Sequence, residues 1–265
     1  VSSHIRGLEE TLGVLLFDRA ARRRVALTEA GKRIYPTARE IVDRCRVLQS
    51  NLPEREGNLL TVGASTVPAQ YLIPRLLADF SRQRPDCQFL LRRGDSASIH
   101  ELLRSGQIAV GFVGMRMDEK AFRYMPLQED HLVLAAENSP RIRALPADAG
   151  LELLLREPVI ARETHSGTWL ETEKWLRGQG ILPESLHILA RMENPDAIRR
   201  AVAQGMGVSV LSSLVVQEDA AAGRLRTFEL GQGAWRQICM VLPKKGQLTA
   251  TQKAFAAFAQ QRAAL

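Results

Sequence analysis

The sequence predicts an α/β protein in which two lobes follow a helical N-terminal segment. Beyond residue 58, short apolar runs typical of strands alternate with amphipathic helices, which indicates βαβ units on largely parallel sheets. The alternation comes in two series, and strand-like segments near residues 132 and 238 join them, which indicates two lobes linked by two crossing strands. Parallel sheets bind ligands beyond the carboxyl ends of their strands, so a cleft between the lobes is the expected binding site.

Composition narrows the class of protein. The chain has 265 residues, 45% hydrophobic and 25% charged, which fits two or three globular folding units. It holds no apolar run of the ~18 residues that span a bilayer, and its start, VSSHIRGLEE, does not resemble a signal peptide, so we expect a cytoplasmic protein without a membrane partner. Three scattered cysteines and five scattered histidines predict neither a disulfide framework nor a metal site, and no cofactor is expected.

Positive charge is concentrated near the N-terminus. The net charge is +7, and residues 1–46 contribute an excess of four, with ten Lys or Arg against six Asp or Glu. Residues 1–13 are predicted to form a helix that ends at Gly13, with a buried stripe of Val1, Ile5, Leu8 and Leu12. The polar side of this helix carries Ser2, Ser3, His4 and Arg6.

A basic loop follows the first helix. Segments 15–17 and 25–27 are predicted to form two short strands around an exposed turn, and that turn carries Arg19, Arg22, Arg23 and Arg24. A solvated loop would explain such a turn by itself. Its position beside a helix with Ser, Ser, His and Arg on one face favours contact with nucleic acid.

Residues 28–52 hold the most regular periodicity in the chain. Thr28 is a suitable N-cap, and Glu29 places negative charge in the first turn of the helix. Apolar residues then follow an a/d heptad spacing, which favours pairing with the same helix of a second subunit over packing within one domain. The residues of this seam are Ile34, Ala38, Ile41, Cys45, Leu48 and Leu52. Pro36 is expected to kink the helix or delay its regular start.

A polar linker at 53–58 (PEREGN) separates this helix from the α/β region. The predicted strands are 59–63, 88–92, 108–113, 132–136, 158–161, 185–191, 207–211 and 237–242. The predicted helices are 68–83, 96–105, 167–178, 194–204, 212–222 and 249–263.

The order of these segments resembles the LysR-type transcriptional regulators. The resemblance is carried by VSSHIRGLEETLGVLLFDR, LTEAGKRIYPTAREI, GASTVPAQYLIPRLLADFSRQRPD, SGTWLETEKWL and ENPDAIRRAVAQGMGVSVLSSLVVQEDAAAGRL, and it extends over essentially all of the chain. It implies a two-lobed, periplasmic-binding-protein-like effector domain after a winged helix-turn-helix and a dimerising helix, assembled as a dimer or tetramer. Because the sequence opens inside the recognition helix, the helix-turn-helix is expected to be partial.

The resemblance divides the chain into five parts. Residues 1–27 would be the partial winged helix-turn-helix, 28–52 the linker helix and 53–58 the hinge. Residues 59–131 with 237–265 would form lobe I, and residues 132–236 would form lobe II. The resemblance also implies double-stranded DNA as a partner. It directs Ser2, Ser3, His4 and Arg6 toward the major groove, and Arg19, Arg22, Arg23 and Arg24 toward the minor groove or the backbone.

Candidate effector-binding residues lie at corners between a strand and a helix. Hydroxyls and free N–H groups at helix N-termini suit an anion or a carboxylate, so the expected ligand is small and anionic. The candidates in the first lobe are Ser65, Thr66, Asp95 and Ser96, of which Asp95 is expected mainly to cap its helix. The candidates in the second lobe are Thr164, His165, Ser166, Gly167, Thr168 and Asn194.

Two rival functions fit the sequence less well than a ligand-responsive DNA-binding regulator. A solute-binding receptor of the same two-lobed fold would have no need of the basic N-terminus or the heptad helix. A serine hydrolase would need G-x-S-x-G, and neither Glu163–Gly167 nor Gly63–Val67 fits that pattern. The sequence also lacks GxGxxG and Walker motifs, so no catalytic residue and no enzymatic activity are expected.

Overall fold

The computed structural model describes residues 2–18, 26–50 and 59–263, with side chains for 4–18, 26–42 and 59–262. Contacts divide the chain into two units. One is Val1–Gly57 with Ser105–Gln107, and the other is Asn58–Arg104 with Ile108–Leu265. The predicted hinge, the four arginines of the basic turn and Leu52 lie outside the described residues, as do the side chains of Ser2, Ser3, Cys45 and Leu48.

The described residues of the N-terminal unit form two helices and a short hairpin. Its elements are α1 (Ser2–Leu12), β1 (Phe17–Asp18), β2 (Ala26–Leu27) and α2 (Glu29–Ser50). Gly13 ends α1 as predicted, because its φ of 68° lies in the left-handed region that favours glycine. The two short strands pair antiparallel, with Phe17 opposite Leu27.

Side chains fix the hairpin to both helices of this unit. The buried Glu9 of α1 accepts hydrogen bonds from the backbone N–H groups of Leu16 and Phe17 at 2.8 and 3.2 Å. Thr28 caps α2, because its Oγ1 accepts a hydrogen bond from the Gly31 N–H and donates one to the Leu15 carbonyl. The predicted cap is therefore confirmed.

The apolar stripe predicted on α1 is only partly covered. Leu8 is 46% exposed and Leu12 is 44% exposed, so the prediction of burial is wrong for these two residues. Ile5 is half-buried, and Val1 lies outside the described residues.

The C-terminal unit alternates strands and helices. Its strands are β3 (Leu59–Ser65), β4 (Gln88–Gly94), β5 (Val110–Val113), β6 (Phe122–Glu137), β7 (Val159–Arg162), β8 (Ile188–Met192), β9 (Ser209–Ser212), β10 (Leu225–Glu229) and β11 (Trp235–Pro243). Its helices are α3 (Ile73–Gln83), α4 (Ser96–Arg104), α5 (Pro140–Arg143), α6 (Gly150–Arg156), α7 (Gly167–Gly178), α8 (Pro195–Ala203), α9 (Ser213–Ala221) and α10 (Ala250–Ala263). A π-helical turn, Pro68–Leu72, precedes α3, and a 3-10 turn, Pro183–Ser185, precedes β8.

Two long antiparallel strands, β6 and β11, run through both lobes. The strand order of the main sheet is β10-β6-β11-β5-β3-β4, and β9 also pairs with β6. In lobe I, β3 pairs parallel with β4 and β5, whereas β11 pairs antiparallel with β5. In lobe II, β9 and β10 pair antiparallel with the end of β6, and β7 pairs parallel with β8. The predicted lobe boundaries fall inside β6 and β11.

Several elements differ from their predictions. The first crossing strand spans Phe122–Glu137 instead of 132–136, and β10, α5, α6 and the 3-10 turn were not predicted. In the described residues, β3 pairs parallel with β4 and β5, β7 pairs parallel with β8, and Val159 of β7 forms a parallel bridge with Val208. The other strand pairs are antiparallel, so the sheets are more mixed than the alternation of strands and helices suggested. Antiparallel crossing strands account for the difference, because they join the two parallel series.

Each lobe has its own apolar core. One cluster in lobe I gathers residues of β3, β5, α3 and α10 around Phe80, Phe112 and Phe255. In lobe II, one cluster surrounds Trp169 and Trp175 and a second surrounds Ile160 and Ile198. The register between β6 and β11 shifts between Ile238 and Cys239, and such an irregularity bends the paired strands where they pass from one lobe to the other.

Candidate functional site

A cleft in the C-terminal unit brings together residues from both lobes. It is lined by Ser65, Thr66, Val67, Asp95, Ser96, Arg162, Glu163, Ser166, Gly167, Thr168 and Arg236. Seven of these are predicted effector-binding residues: Ser65, Thr66, Asp95, Ser96, Ser166, Gly167 and Thr168. The cleft holds about 290 Å³ of empty space, and this figure includes open solvent.

Hydroxyl groups face the cleft from three strand-to-helix corners. Ser65 ends β3 and Thr66 opens the helical segment that continues through the π turn. The hydroxyls of Ser65, Thr66, Ser96 and Thr168 make no hydrogen bond to other described residues of the chain. They therefore remain available as donors or acceptors for a bound molecule.

Lobe II contributes the N-terminus of α7. Ser166 is the N-cap, and its hydroxyl accepts a hydrogen bond from the Trp169 N–H at 3.4 Å. The first N–H groups of a helix have no partner within it and carry partial positive charge, so Gly167 and Thr168 present donors suited to an anion. Gly167 also leaves space, because a Cβ placed there would meet Arg236 Nη1 at 3.4 Å and Ser96 Oγ at 3.8 Å.

The corner at the start of α4 is held by Asp95 and His100. Asp95 Oδ1 accepts a hydrogen bond from the Ser98 N–H at 2.7 Å, so Asp95 both caps α4 and lines the cleft. His100 Nδ1 lies 2.6 Å from the Ser96 carbonyl, which requires a proton on Nδ1. His100 Nε2 lies 2.6 Å from the hydroxyl of Tyr124 on β6. Burial lowers the pKa of His100 below its ordinary value, so the ring is neutral and accepts the tyrosine proton.

Arg236 is a buried cation in the lining of the cleft. It is the second residue of the crossing strand β11, lies directly opposite Asp130 of β6, and donates from Nε to Asp130 Oδ2 at 2.8 Å. Asp130 is fully buried and also accepts a hydrogen bond from the hydroxyl of Ser212. Since Nε alone is bonded to described residues, the Nη groups of Arg236 remain free beside the N-terminus of α7.

A second arginine closes the lobe II side of the cleft. Arg162, the last residue of β7, donates from Nε and Nη2 to the two carboxylate oxygens of Glu163, each at 2.8 Å. The Arg162 carbonyl accepts a hydrogen bond from Arg191, whose guanidinium lies 4.5 Å from the ring centre of Trp169. Arg162 and Glu163 therefore form a rigid wall with little net charge.

Three predicted effector-binding residues lie outside this lining. Thr164 and His165 are exposed. Asn194 is also exposed and caps α8, its Oδ1 accepting a hydrogen bond from the Asp196 N–H at 2.8 Å.

Four residues of the lining were not predicted from the sequence: Val67, Arg162, Glu163 and Arg236. A signal for Arg236 existed, because Asp130 and Arg236 each stand just before a predicted crossing segment. Antiparallel pairing of those segments brings such residues opposite each other. Arg162 gave no comparable signal, because it follows an ordinary apolar run.

In the N-terminal unit, His4 and Arg6 are exposed on α1, as residues that contact DNA would be. Along the predicted seam, Ile34 and Ala38 are half-buried, whereas Ile41 is 57% exposed. Of the part of the chain that the structure describes, no helix is both long and apolar enough to cross a membrane. The same residues contain no group of three or more His, Cys, Asp or Glu side chains placed to hold a metal ion.

Two models of known protein families match the chain, one at the N-terminus and one over most of the remaining residues. Residues 1–32 match "Bacterial regulatory helix-turn-helix protein, lysR family", and residues 53–264 match "LysR substrate binding domain". These matches define a class of protein, the regulators that couple a DNA-binding helix-turn-helix to a domain that binds small-molecule effectors. The chain belongs to the LysR family of transcriptional regulators. The resemblance and the fold class predicted from the sequence are thereby confirmed, and the family consists of regulators rather than enzymes.

Individual relatives extend the match. The chain is 30% identical over 226 residues to the uncharacterized HTH-type transcriptional regulator YeiE of Escherichia coli (strain K12), covering 85% of this chain and 74% of that protein. It is also 30% identical over 248 residues to a protein of Anaeromyxobacter dehalogenans (strain 2CP-C) named phosphonates import ATP-binding protein PhnC. That match covers 92% of this chain and spans about half, 49%, of that relative.

Solved structures show the same fold at low sequence identity. Full-length CbnR complexed with its target DNA superposes with a TM-score of 0.70 at 20% identity, over 98% of this chain and 88% of that chain. The CcmR regulatory domain of Synechocystis PCC6803 in complex with 2-PG gives 0.66 at 23% identity, over 77% of this chain and 96% of that chain.

Proposed function

We propose that the inter-lobe cleft binds a small anion, a carboxylate or an oxyanion, and that this effector controls the regulator. The buried guanidinium of Arg236 carries the proposal. Asp130 orients it through Nε, and its free Nη groups lie beside the N-terminus of α7, so two sources of positive potential meet at one point.

The rest of the lining suits a compact polar molecule. Ser65 and Ser96 from lobe I and Thr168 from lobe II offer free hydroxyls within one small cleft. The other charged side chains of the lining already have partners in the protein. Arg162 pairs with Glu163, and Asp95 caps α4. Arg236 is therefore the charged group best placed to meet an anionic effector.

A thermal-shift series tests the anion. Acetate, glycolate, sulfate and phosphate are compared with neutral acetamide, and a ligand at 100 times its Kd raises the stability by about 2.7 kcal/mol. Thr168→Val and Ser65→Ala, which remove single hydroxyls, should weaken an anion that binds. Ser98→Ala, at an exposed position of α4 outside the lining, is the matched control. Equal stabilisation by acetamide would contradict the anionic class, and unchanged affinity in both cleft variants would locate the ligand elsewhere.

We further propose that this cleft binds and does not catalyse. The hydroxyl of Ser166 is engaged as a helix cap, and the neighbouring His165 is exposed outside the lining. A nucleophile needs a base within hydrogen-bonding reach, and His100, which bonds the lining residue Ser96, has both ring nitrogens engaged by Ser96 and Tyr124.

For the DNA-binding end we propose that Ser2, Ser3, His4 and Arg6 meet the major groove and that Arg19, Arg22, Arg23 and Arg24 meet the minor groove or the phosphates. Exposure of His4 and Arg6 on α1 and the excess of positive charge in residues 1–46 support this assignment. Acting on DNA, the protein would work in the cytoplasm.

Salt dependence tests the wing arginines. Each phosphate contact contributes about 0.9 to the slope of log K against log salt on duplex DNA. Replacing Arg22, Arg23 and Arg24 by alanine should lower the slope by up to about 3 in fluorescence anisotropy. Lys253→Ala, at an exposed position of α10, is the control, and an unchanged slope in the triple variant would contradict the assignment.

We also propose self-association through α2, as a dimer or a tetramer built from dimers. The seam comprises Ile34, Ala38, Ile41, Cys45, Leu48 and Leu52. Its heptad spacing and the exposure of Ile41 in the single chain support pairing with a second copy.

A further inference from the structure

A hydrogen-bonded cluster away from the cleft connects the two lobes. Tyr71 donates from its hydroxyl to Asp196 Oδ1 at 2.7 Å, and Gln70 donates from Nε2 to Asp196 Oδ2 at 3.2 Å. Tyr71 and Gln70 belong to the π turn that packs on β3 in lobe I, whereas Asp196 lies in the first turn of α8 in lobe II. Both oxygens of one lobe II carboxylate are therefore held by lobe I donors.

Asp196 is itself fixed by a charged network. Arg199 lies 3.3 Å from Asp196 Oδ1 through Nη2 and bonds the buried Asp219 through Nη1, and Arg224 bonds Asp219 as well. Two arginines thus balance two aspartates, and the carboxylate that faces lobe I is held in place from within lobe II. Tyr71 also packs its ring against the lobe II core around Ile198.

The geometry indicates a specific role for the contact of Gln70 and Tyr71 with Asp196, beyond general packing between the lobes. Gln70 Oε1 and Arg199 Nε are buried without hydrogen-bond partners in the described part of the chain, and buried polar atoms of this kind are uncommon in native proteins. The donors also stand on a π turn, a helical irregularity that occurs frequently at functional sites. Three to six residues before them, Ser65, Thr66 and Val67 line the cleft.

We propose that Tyr71, Gln70 and Asp196 form an inter-lobe latch that holds the effector cleft closed. Opening the lobes would separate Tyr71 and Gln70 from Asp196, and closing them would restore both hydrogen bonds. The role of the latch in regulation rests on the proposed effector function, but lobe closure is measurable without any effector.

Thiol accessibility in the cleft tests the latch. Ser96 is 6% exposed, and its Oγ lies 3.8 Å from the Cβ position of Gly167 in the opposite lobe, so closure shields it. In the full chain carrying Ser96→Cys, the rate of alkylation by iodoacetamide is measured at that position by peptide mass spectrometry. Adding Tyr71→Phe should raise this rate about tenfold, because a hydrogen bond to a charged group shifts an equilibrium by roughly that factor. Gln70→Leu should raise it less, since its bond is longer.

Two controls separate lobe opening from loss of the fold. Cys87 is buried in the lobe I core around Phe80, so its alkylation reports loss of that core and should stay unchanged in both variants. Tyr35→Phe, which removes an exposed hydroxyl from α2, should leave the rate at position 96 unchanged. An unchanged rate at position 96 in Tyr71→Phe and Gln70→Leu would overturn the latch, and so would an equal rise at Cys87. A rise confined to position 96 would support it even if every anion failed to bind.

Discussion

Replacing Arg236 by methionine should destabilise the C-terminal unit by about 3–5 kcal/mol, the usual penalty when one partner of a buried ion pair is removed. Asp130 is 0% exposed, the Arg236 side chain is 5% exposed, and the Nε–Oδ2 distance is 2.8 Å. Without Arg236, the side-chain partner that Asp130 keeps among the described residues is the hydroxyl of Ser212, which supplies a hydrogen bond but no positive charge. The upper part of the range is therefore expected.

The double variant Asp130→Asn/Arg236→Met distinguishes the effect of an unpaired buried charge on stability from the effect of changed packing. It removes both charges and keeps similar volumes, and replacing a whole buried pair in this way is often close to neutral. The double variant should therefore be more stable than Arg236→Met alone, although it has one more substitution. Arg143→Met, at an exposed position, should change the stability by less than about 0.5 kcal/mol.

Urea unfolding followed by tryptophan fluorescence measures these differences. Trp169 and Trp175 are each 4% exposed in lobe II, so their emission reports the unfolding of that core. Stability changes are read from shifts of the midpoint at constant slope. The reasoning would be refuted if Arg236→Met cost no more than Arg143→Met, or if the double variant were less stable than the single one.

Three further results are expected. Burial lowers the pKa of His100 beneath the 6.5 of an unfolded chain, so its contribution to stability is complete above pH 6.5 and declines as the pH falls toward the folded pKa, by at most about 1.4 kcal/mol per pH unit. Tm measured from pH 8 to pH 5 should therefore fall less in His100→Gln than in the parent, and parallel curves would contradict this. Gly167→Ala puts a methyl group 3.4 Å from Arg236 Nη1 and should weaken binding of a stabilising anion about tenfold in calorimetry, with Tm nearly unchanged. Unaltered affinity would show that the ligand does not occupy this point. Ile41→Asp should shift sedimentation toward the monomer, and a sedimentation coefficient equal to the parent's would exclude Ile41 from the seam.

The fold was predictable where local signals were strong. Helix 167–178 was predicted at its observed bounds, because Ser166 is an N-cap and the following residues suit a helix. The first half of β6 was missed because Phe122–His131 mixes charged residues with Pro126, and its strand character comes from pairing with β11. Strand β10 was missed for the same reason, since Leu225–Glu229 is short and is stabilised by pairing with β6.

The residues of the candidate site also divide into those that a local sequence signal predicts and those that depend on distant pairing. Ser65, Ser96 and Thr168 stand at corners where a strand gives way to a helix, and such corners can be found from short segments of sequence. Arg236 is buried inside a strand beside an aspartate 106 residues earlier in the chain. Its place in the site depends on the register of two distant strands, which no local pattern specifies.

One continuous segment connects the proposed effector cleft to the proposed latch. Ser65 and Thr66 line the cleft, and Gln70 and Tyr71, one turn further along the same helical segment, bond Asp196. An effector that bridges Thr168 and Ser65 makes all of its contacts only in the closed state, which the latch also favours. Two interactions that stabilise the same state must strengthen each other reciprocally. If the open state dominates once the latch is lost, Tyr71→Phe reduces the population of the closed, binding-competent state by up to tenfold. Effector binding should then weaken by up to tenfold as well, although Tyr71 does not line the cleft.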